Sequence, residues 1–468
     1  MKNHLVRWNI VCKPIAQGGL VVRSIDEVNF ALLGKWLWKV ANSGTGMWRT
    51  ILLKKYKIDK NGWHVPGQDY KVSGIWKSIS SVKRPTRNVA YSLPFTIKGG
   101  GGKAKPSYCG LFTSHSQTPH VIRSGYCVNN MASANRAVVE DVSGWLRVFD
   151  DGSVDRSWTG PKEVEFLTSP APPSDGEFVD GVATRDIIID PESNLSVRIY
   201  LPEKLPDDDP KLPVILHFHG GGFCITRANC YMYYLFYTRL AKSARAICVS
   251  VEMRLAPEHR LPAAIDDCYA ALLWLRALAR AELTEPWLGP NADFSRVFMV
   301  GDSTGGTTVH HVSARAGSEE WSPLRLAGGV LLHPGFHRTE LSRSEMEAQF
   351  ETPFLTLDMI NRFMALALPL GSTKEHPIMC PMGPAAPPLA DLRLPPFLVV
   401  VAERDLLHDR ELEYVDEMKK AGKDVELMVN RGVGHCFYLN KVAIDSDPVT
   451  ATQTELMIES ISNFIRNH

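Results

Sequence analysis

The chain has 468 residues, of which 44% are hydrophobic and 22% charged, so it is long enough for two or three domains with buried cores. The net charge is only +1. No run approaches the roughly 20 apolar residues of a membrane span, and the amino terminus lacks the apolar stretch of a secretory signal. We expect a soluble protein of the cytoplasm, with the nucleus as a second compartment and no membrane partner.

The cysteines and histidines give no sign of a metal site. The nine cysteines are odd in number and scattered, and no Cys-x-x-Cys pair suggests zinc or a redox dithiol. His310 and His311 are adjacent on a predicted helix, so they cannot share one face as ligands. We expect a reducing compartment, no metal and no cofactor.

Charge divides the chain into two unlike parts. Residues 1–130 carry 20 Lys and Arg against 4 Asp and Glu, a net charge of +16, which leaves −15 for residues 131–468. Residues 25–39 have the apolar spacing of a helix, whereas residues 83–130 have almost no apolar periodicity and contain four consecutive glycines at 99–102. We therefore expect a basic, partly disordered amino-terminal segment with a low-order linker at 83–130, followed by an acidic folded domain.

Part of the amino-terminal segment has a recognisable likeness. Stretches 11–14 (Val-Cys-Lys-Pro) and 31–38 (Ala-Leu-Leu-Gly-Lys-Trp-Leu-Trp) resemble the carboxyl-terminal tail of plant LINE-type retrotransposon reverse transcriptases. This implies a fragment at 1–82 without the paired aspartates of a polymerase. Basic charge interleaved with tryptophan is also typical of nucleic-acid binding, which we keep as an alternative function. The economical interpretation is a fused fragment outside the chemistry, with nucleic acid not expected as a partner.

From Met131 onward, buried apolar runs alternate with amphipathic stretches. Strands are predicted at 213–218, 246–251, 297–300, 328–332, 397–402 and 425–429, and helices at 262–278, 304–316 and about 455–465. This alternation indicates a mainly parallel sheet with helices on both faces. Function is then expected at the carboxyl ends of the strands.

The first of these strands runs into His-Gly-Gly-Gly-Phe at 219–223. Glycine lets the backbone approach a ligand closely and point its amides at an oxyanion. We predict that the amides of Gly221, Gly222 and Thr304 hold the negative charge of a tetrahedral intermediate. An ordinary glycine-rich turn is the alternative.

Gly-Asp-Ser-Thr-Gly at 301–305 lies between the strand at 297–300 and the helix at 304–316. This is the strand-turn-helix setting of a nucleophile elbow, in which flanking glycines allow a tight turn that exposes the serine. The bare Gly-x-Ser-x-Gly pattern occurs by chance in roughly 0.15 of chains this long. The setting therefore carries the prediction that Ser303 is the nucleophile.

Two further residues follow strand ends. Asp405 comes after the strand at 397–402, and His435 after the strand at 425–429. The chain order of serine, acid and histidine is that of the α/β-hydrolase triad, in which the histidine activates the serine and the acid orients the histidine. Asp409 is the rival acid, with a helix-starting charge as its alternative role.

Four motifs together resemble the hormone-sensitive-lipase-like branch of the α/β-hydrolases. They are His-Gly-Gly-Gly-Phe at 219–223, Arg-Leu-Ala-Pro-Glu-His at 254–259, Gly-Asp-Ser at 301–303 and Gly-His at 434–435. The opening at 139–149 resembles plant carboxylesterases related to the gibberellin receptors. The resemblance covers 131–468 and implies an α/β-hydrolase fold with a helical cap formed by about 136–160 and 341–367.

The cap and the motifs supply candidate substrate contacts. We expect substrate to be touched by His219, Phe223, Asp302, Trp145 and Phe354. The apolar cap residues either line a pocket or form the buried face of cap helices. These residues are Met346, Phe350, Phe354, Met359, Phe363 and Met364.

We therefore predict a serine carboxylesterase that hydrolyses a small to medium apolar ester by acyl transfer, without a cofactor. Stretches 178–186 and 434–440 resemble plant esterases implicated in strigolactone breakdown, so a hormone or secondary-metabolite ester is a candidate substrate. The alternative is a non-hydrolysing receptor of the gibberellin-receptor type. Such receptors lack the catalytic histidine, so His435 favours the enzyme. The sequence carries no signal of oligomeric state.

Overall fold

The computed structural model describes residues 136–205, 211–347, 350–352 and 354–468. The fragment predicted at 1–82 and the linker predicted at 83–130 lie outside the described residues. The strands are β1 (Val138–Val142), β2 (Leu146–Phe149), β3 (Val154–Asp155), β4 (Val182–Asp190), β5 (Leu195–Pro202), β6 (Leu212–Phe218), β7 (Ile247–Glu252), β8 (Ala292–Asp302), β9 (Leu326–Leu332), β10 (Phe397–Ala402) and β11 (Val425–Asn430). The helices are α1 (Glu165–Thr168), α2 (Tyr231–Ala244), α3 (Ala263–Ala279), α4 (Leu288–Asn291), α5 (Thr304–Ala316), α6 (Arg343–Met346), α7 (Leu357–Ala367), α8 (His408–Lys420), α9 (Lys441–Ser446) and α10 (Pro448–Asn467).

Strands β4 to β11 form one eight-stranded sheet in the order β11-β10-β9-β8-β6-β7-β5-β4. The pairings among β6 to β11 are parallel, and β4 and β5 complete one edge in antiparallel fashion. This topology confirms the mainly parallel sheet. Each of the six strands predicted from apolar runs is present.

The sheet is covered on both faces because its inner strands are apolar on both sides. In β10, Phe397, Val399 and Val401 belong to one hydrophobic core. The intervening Leu398, Val400 and Ala402 belong to the other. Helices α3, α5 and α8 pack in the first core, and α2 and α10 pack in the second. Such burial on both faces is typical of a parallel sheet between helical layers.

The expectation of a helix at 136–160 is wrong. Strands β1, β2 and β3 form a separate three-stranded antiparallel sheet there. Gly144 makes the first turn with φ +84°, a conformation that glycine adopts readily, and Trp145 donates its backbone N–H to Val142. Five β-branched valines in these short strands favour extended backbone over helix.

The second cap segment, 341–367, contains the helices α6 and α7. Thr356 is the N-cap of helix α7, since its side chain accepts a hydrogen bond from the backbone N–H of Met359, and the helix buries one apolar face. Arg362 on α7 pairs with Glu140 on β1, so the two cap segments contact each other. In the part of the chain that the structure describes, no helix combines the length and apolarity needed to cross a membrane.

Candidate active site

Ser303 lies in a sharp turn between β8 and α5. Its backbone has φ +53°, a strained value for a non-glycine residue. A side chain on Gly301 would overlap the carbonyl oxygen of Gly305, and one on Gly305 would overlap that of Phe218. Both flanking positions therefore require glycine, and the turn has the form predicted for a nucleophile elbow.

His435 and Asp405 form a hydrogen-bonded pair at the carboxyl ends of β11 and β10. Nδ1 of His435 lies 2.6 Å from Oδ2 of Asp405, whose Oδ1 accepts the backbone N–H of Leu407 at 2.9 Å. Burial alone would raise the pKa of Asp405, but His435 outweighs burial and holds that pKa low. Burial alone would lower the pKa of His435, but the Asp405 carboxylate holds it well above 6.5. The Asp405 carboxylate can therefore stabilise the protonated imidazole of His435.

Asp409, the rival acid, has a different partner. Its Oδ2 accepts the backbone N–H of Ser344 at 2.9 Å, and its own N–H donates to the Ser344 hydroxyl at 3.2 Å. Ser344 belongs to α6 of the cap. Asp409 therefore attaches the cap to the first turn of α8, while Asp405 contacts the histidine.

The glycine loop after β6 faces the elbow. Gly221 and Gly222 have φ values of +94° and +61°, and both line one cavity together with Ser303 and Thr304. Asp302 anchors the loop, because its Oδ2 accepts the Gly220 N–H at 3.1 Å. This arrangement brings the predicted oxyanion donors to the same space as the serine hydroxyl.

Two residues that the sequence analysis missed support this loop. The hydroxyl of Tyr233 on α2 donates to Oδ2 of Asp302 at 2.9 Å, and Thr226 donates to the Gly220 carbonyl at 3.0 Å. Nothing in the pattern of α2 distinguishes Tyr233 from its three neighbouring tyrosines, since all fit an amphipathic helix. The fold alone selects it.

Replacing Gly221 by alanine is expected to lower kcat by about 10²-fold, the usual cost of displacing one oxyanion donor. The new Cβ would overlap the Ile225 carbonyl oxygen and lie 2.6 Å from the Thr226 hydroxyl, at a positive φ. Steady-state kinetics on a nitrophenyl ester measures the effect. The matched control is Gly422→Ala, which has φ +69° but open space around it and should keep the parent kcat. Equal effects of the two variants would contradict the assigned role.

The cavity at this site has a volume of about 370 Å³. Ser303, His435 and the glycine loop line one side, and both cap segments contribute to the rest. The apolar lining residues include Trp145, Val164, Leu167, Met232, Phe354, Leu355, Ile360, Phe363, Met364, Leu407, Phe437 and Leu439. Asp302 is the only Asp, Glu, Lys or Arg among the described lining residues, and it is engaged by the loop. The cavity therefore suits a neutral, apolar ligand.

The predicted substrate contacts divide into two groups. Trp145, Asp302 and Phe354 line the cavity. Phe223 and His219 do not: Phe223 packs in the core at 2% exposure, and fully buried His219 has Nδ1 3.0 Å from the Gly220 carbonyl. The loop turns sharply through its positive-φ glycines, so its flanking side chains point into the protein.

The cap residues also divide. Phe354, Phe363 and Met364 line the cavity. Met359 is buried in the core, as the alternative of a buried helix face predicts, whereas Phe350 packs against that core and Met346 is 65% exposed. On α7 the same apolar face serves both core and cavity, which sequence spacing cannot separate.

His333 lies behind His435, and its Nδ1 accepts the backbone N–H of Cys436 at 2.9 Å. Burial lowers the pKa of His333 to about 3, so it is a neutral acceptor at pH 7. Two triads of possible metal ligands occur among the described residues: His333 with His435 and Cys436, and Asp405 with Glu411 and His435. Both include His435, whose Nδ1 already contacts Asp405.

Comparison with known proteins identifies the family of this chain. Residues 215–439 match the family model Abhydrolase_3, described as alpha/beta hydrolase fold. "Probable carboxylesterase 6" of Arabidopsis thaliana is 34% identical over 341 residues, 72% of this chain and 95% of that protein. "Tuliposide A-converting enzyme b2, amyloplastic" of Tulipa gesneriana is 36% identical, over 65% of this chain and 75% of that protein. An esterase structure from Pyrobaculum calidifontis matches with a TM-score of 0.50 at 26% identity, covering 61% of this chain and 84% of that one.

Proposed function

Since this chain belongs to the Abhydrolase_3 family of α/β-hydrolases and is a carboxylic ester hydrolase, we propose that Ser303, His435 and Asp405 form its catalytic triad. The observation that carries the proposal is that Ser303 and His435 line one cavity, with Asp405 2.6 Å behind the imidazole. A neutral serine is a weak nucleophile, and this arrangement is the one that activates it.

The proposed reaction is a two-step acyl transfer. The Ser303 hydroxyl oxygen attacks the ester carbonyl while Nε2 of His435 takes the hydroxyl proton. The amides of Gly221, Gly222 and Thr304 hold the oxyanion. Collapse of the intermediate expels the alcohol, which receives the proton from His435. Water, activated by the same imidazole, then releases the acid and regenerates Ser303.

The substrate we propose is a small to medium, neutral and apolar carboxylic ester. An ionised group in the apolar cavity would lose hydration without gaining a free partner, since Asp302 is already hydrogen-bonded. Relatives named for converting tuliposide A support a plant secondary-metabolite ester. A hormone ester such as a strigolactone stays a prediction.

A non-hydrolysing receptor is disfavoured by a specific feature. His435 is present and paired with Asp405, as a hydrolase requires. A receptor would bind an ester without releasing acid. Incubation of the purified protein with 4-nitrophenyl butyrate should release one acid for each ester consumed, over many turnovers per protein molecule. Binding of the ester without release of acid would overturn the proposal.

Phe354→Ala is expected to raise kcat/KM for an octanoate ester relative to an acetate ester by about tenfold, because the space left by the ring accommodates additional methylenes. Phe354 stacks near Trp158 and Trp145, with ring centroids 6.4 and 6.3 Å away. A series of nitrophenyl esters measures the ratio. Met346→Ala, an exposed change in the same cap segment, is the matched control and should leave it unchanged. An unchanged ratio in Phe354→Ala would show that this wall does not bind the acyl group.

A further inference from the structure

Glu411 is a buried carboxyl group for which the proposed mechanism has no role. It lies in the first turn of α8, with its side chain fully buried. No donor among the described residues meets hydrogen-bond geometry at either of its oxygens. The neighbouring Arg410 pairs with Glu345 and Glu413 instead. An ionised Glu411 would thus be a buried charge that Arg410 does not offset, and burial outweighs the stabilisation that the nearby Ala402 N–H and His435 would give it.

The acid and the histidine of the proposed triad lie close to Glu411. Ligand atoms of Glu411, Asp405 and His435 all lie within 4.8 Å of one another. His333 and His337 also interact with the Asp405–His435 pair, and burial lowers the pKa of each to about 3, so both are neutral at pH 7. The cation that acts on Glu411 is therefore the imidazolium of His435.

Two carboxyl groups this close share one negative charge between them. Asp405 holds that charge, because it accepts hydrogen bonds from His435 and from the Leu407 N–H, whereas Glu411 accepts none that meets hydrogen-bond geometry. Burial, and next the Asp405 charge, raise the pKa of Glu411 well above 4.5. Two ionised carboxylates have no hydrogen-bond donor between them. A protonated Glu411 supplies one, since its O–H can hydrogen-bond to Asp405.

We propose that Glu411 is a positioning residue that stays a neutral carboxylic acid and donates a hydrogen bond to the Asp405 carboxylate, so holding Asp405 and His435 in line with Ser303. The inference rests on the proposed function of the triad. The proton remains on Glu411 throughout the reaction. Its hydrogen bond disperses charge on Asp405 and so limits how strongly Asp405 raises the basicity of His435.

The test compares Glu411→Leu, Glu411→Gln and the full chain. Glu411→Leu removes the donor, and is expected to lower kcat about tenfold with KM unchanged. It should also move the acid limb of kcat/KM to higher pH, because the undispersed Asp405 charge binds the imidazolium more tightly. Glu411→Gln keeps a neutral donor of the same shape and should restore most of the lost kcat and the original limb. Glu413→Gln, which removes a charge from the same helix, is the matched control and should not move the limb.

Infrared spectroscopy detects the protonation state of Glu411 directly. It does not depend on Glu411→Leu, so it remains available if that variant fails to fold. The wild-type spectrum minus that of Glu411→Gln should contain the carbonyl band of an undissociated carboxylic acid at pH 7. Absence of that band overturns the inference. A shift of the acid limb of kcat/KM to lower pH by about one unit in Glu411→Gln also overturns it, because that is the result expected if Glu411 were ionised. A folded Glu411→Leu variant with the parental pH profile overturns it as well. If Ser303→Ala keeps the parent rate, the proposed function itself fails.

Discussion

Ser303→Ala lowers kcat for a short nitrophenyl ester by about 10⁴-fold or more, if Ser303 is the nucleophile as proposed. Without the hydroxyl, no acyl-enzyme can form, and the remaining oxyanion donors only assist direct attack by water. The variant should still fold, because alanine fits a position whose turn is held by glycines on both sides. Steady-state kinetics with thermal unfolding as the folding check measures the effect.

The matched control is Ser313→Ala, a fully buried serine on the helix that follows the elbow. It should retain the parent kcat. A Ser303→Ala variant that hydrolysed the ester at the parent rate would contradict the assigned nucleophile.

Asp405→Asn is expected to lower kcat by about 10³- to 10⁴-fold. The amide can no longer accept the Nδ1 proton as a carboxylate does, so His435 loses both the correct tautomer and the stabilisation of its protonated form. Asp409→Asn is the matched control, since Asp409 contacts Ser344 of the cap and not His435. It should cost stability and leave kcat within a few-fold of the parent. A larger loss of kcat in Asp409→Asn than in Asp405→Asn would reverse the assignment.

The pH profile gives the same substitution a second readout. His435 accepts the serine proton only when neutral, so kcat/KM rises with pH through its pKa, which Asp405 holds well above 6.5. The acid limb of the wild-type profile is therefore expected above pH 6.5. In Asp405→Asn the carboxylate is gone and burial dominates, so the residual activity should have its acid limb at lower pH.

The sheet and the proposed triad could be predicted because their signals are local. Strand β10 is an uninterrupted apolar run, and helix α5 has the bounds that the sequence predicts, 304–316. Ser303, Asp405 and His435 follow the carboxyl ends of three parallel strands, β8, β10 and β11, so the topology brings them to one edge of the sheet. For the same reason Asp405 could be ranked above Asp409.

Other features depend on packing that sequence spacing does not encode. The segment 136–160 was expected to be helical, yet its valine-containing strands pair into a small sheet. Phe223 was expected at the substrate, yet the positive-φ glycines turn its ring into the core. Tyr233 and Glu411 reach the site from helices whose patterns are explained by amphipathicity alone, so only the assembled fold shows what they contact.

The central claim is that Ser303 carries the acyl group during turnover. Peptide mapping by mass spectrometry after reaction with a fluorophosphonate tests it most directly, because this reagent phosphonylates an activated serine with loss of fluoride. We expect loss of activity with one adduct per chain, on the peptide that contains Ser303, and no adduct in His435→Ala, which lacks the activating base. Inactivation with the adduct on a different residue, or an adduct formed equally in His435→Ala, would contradict the account.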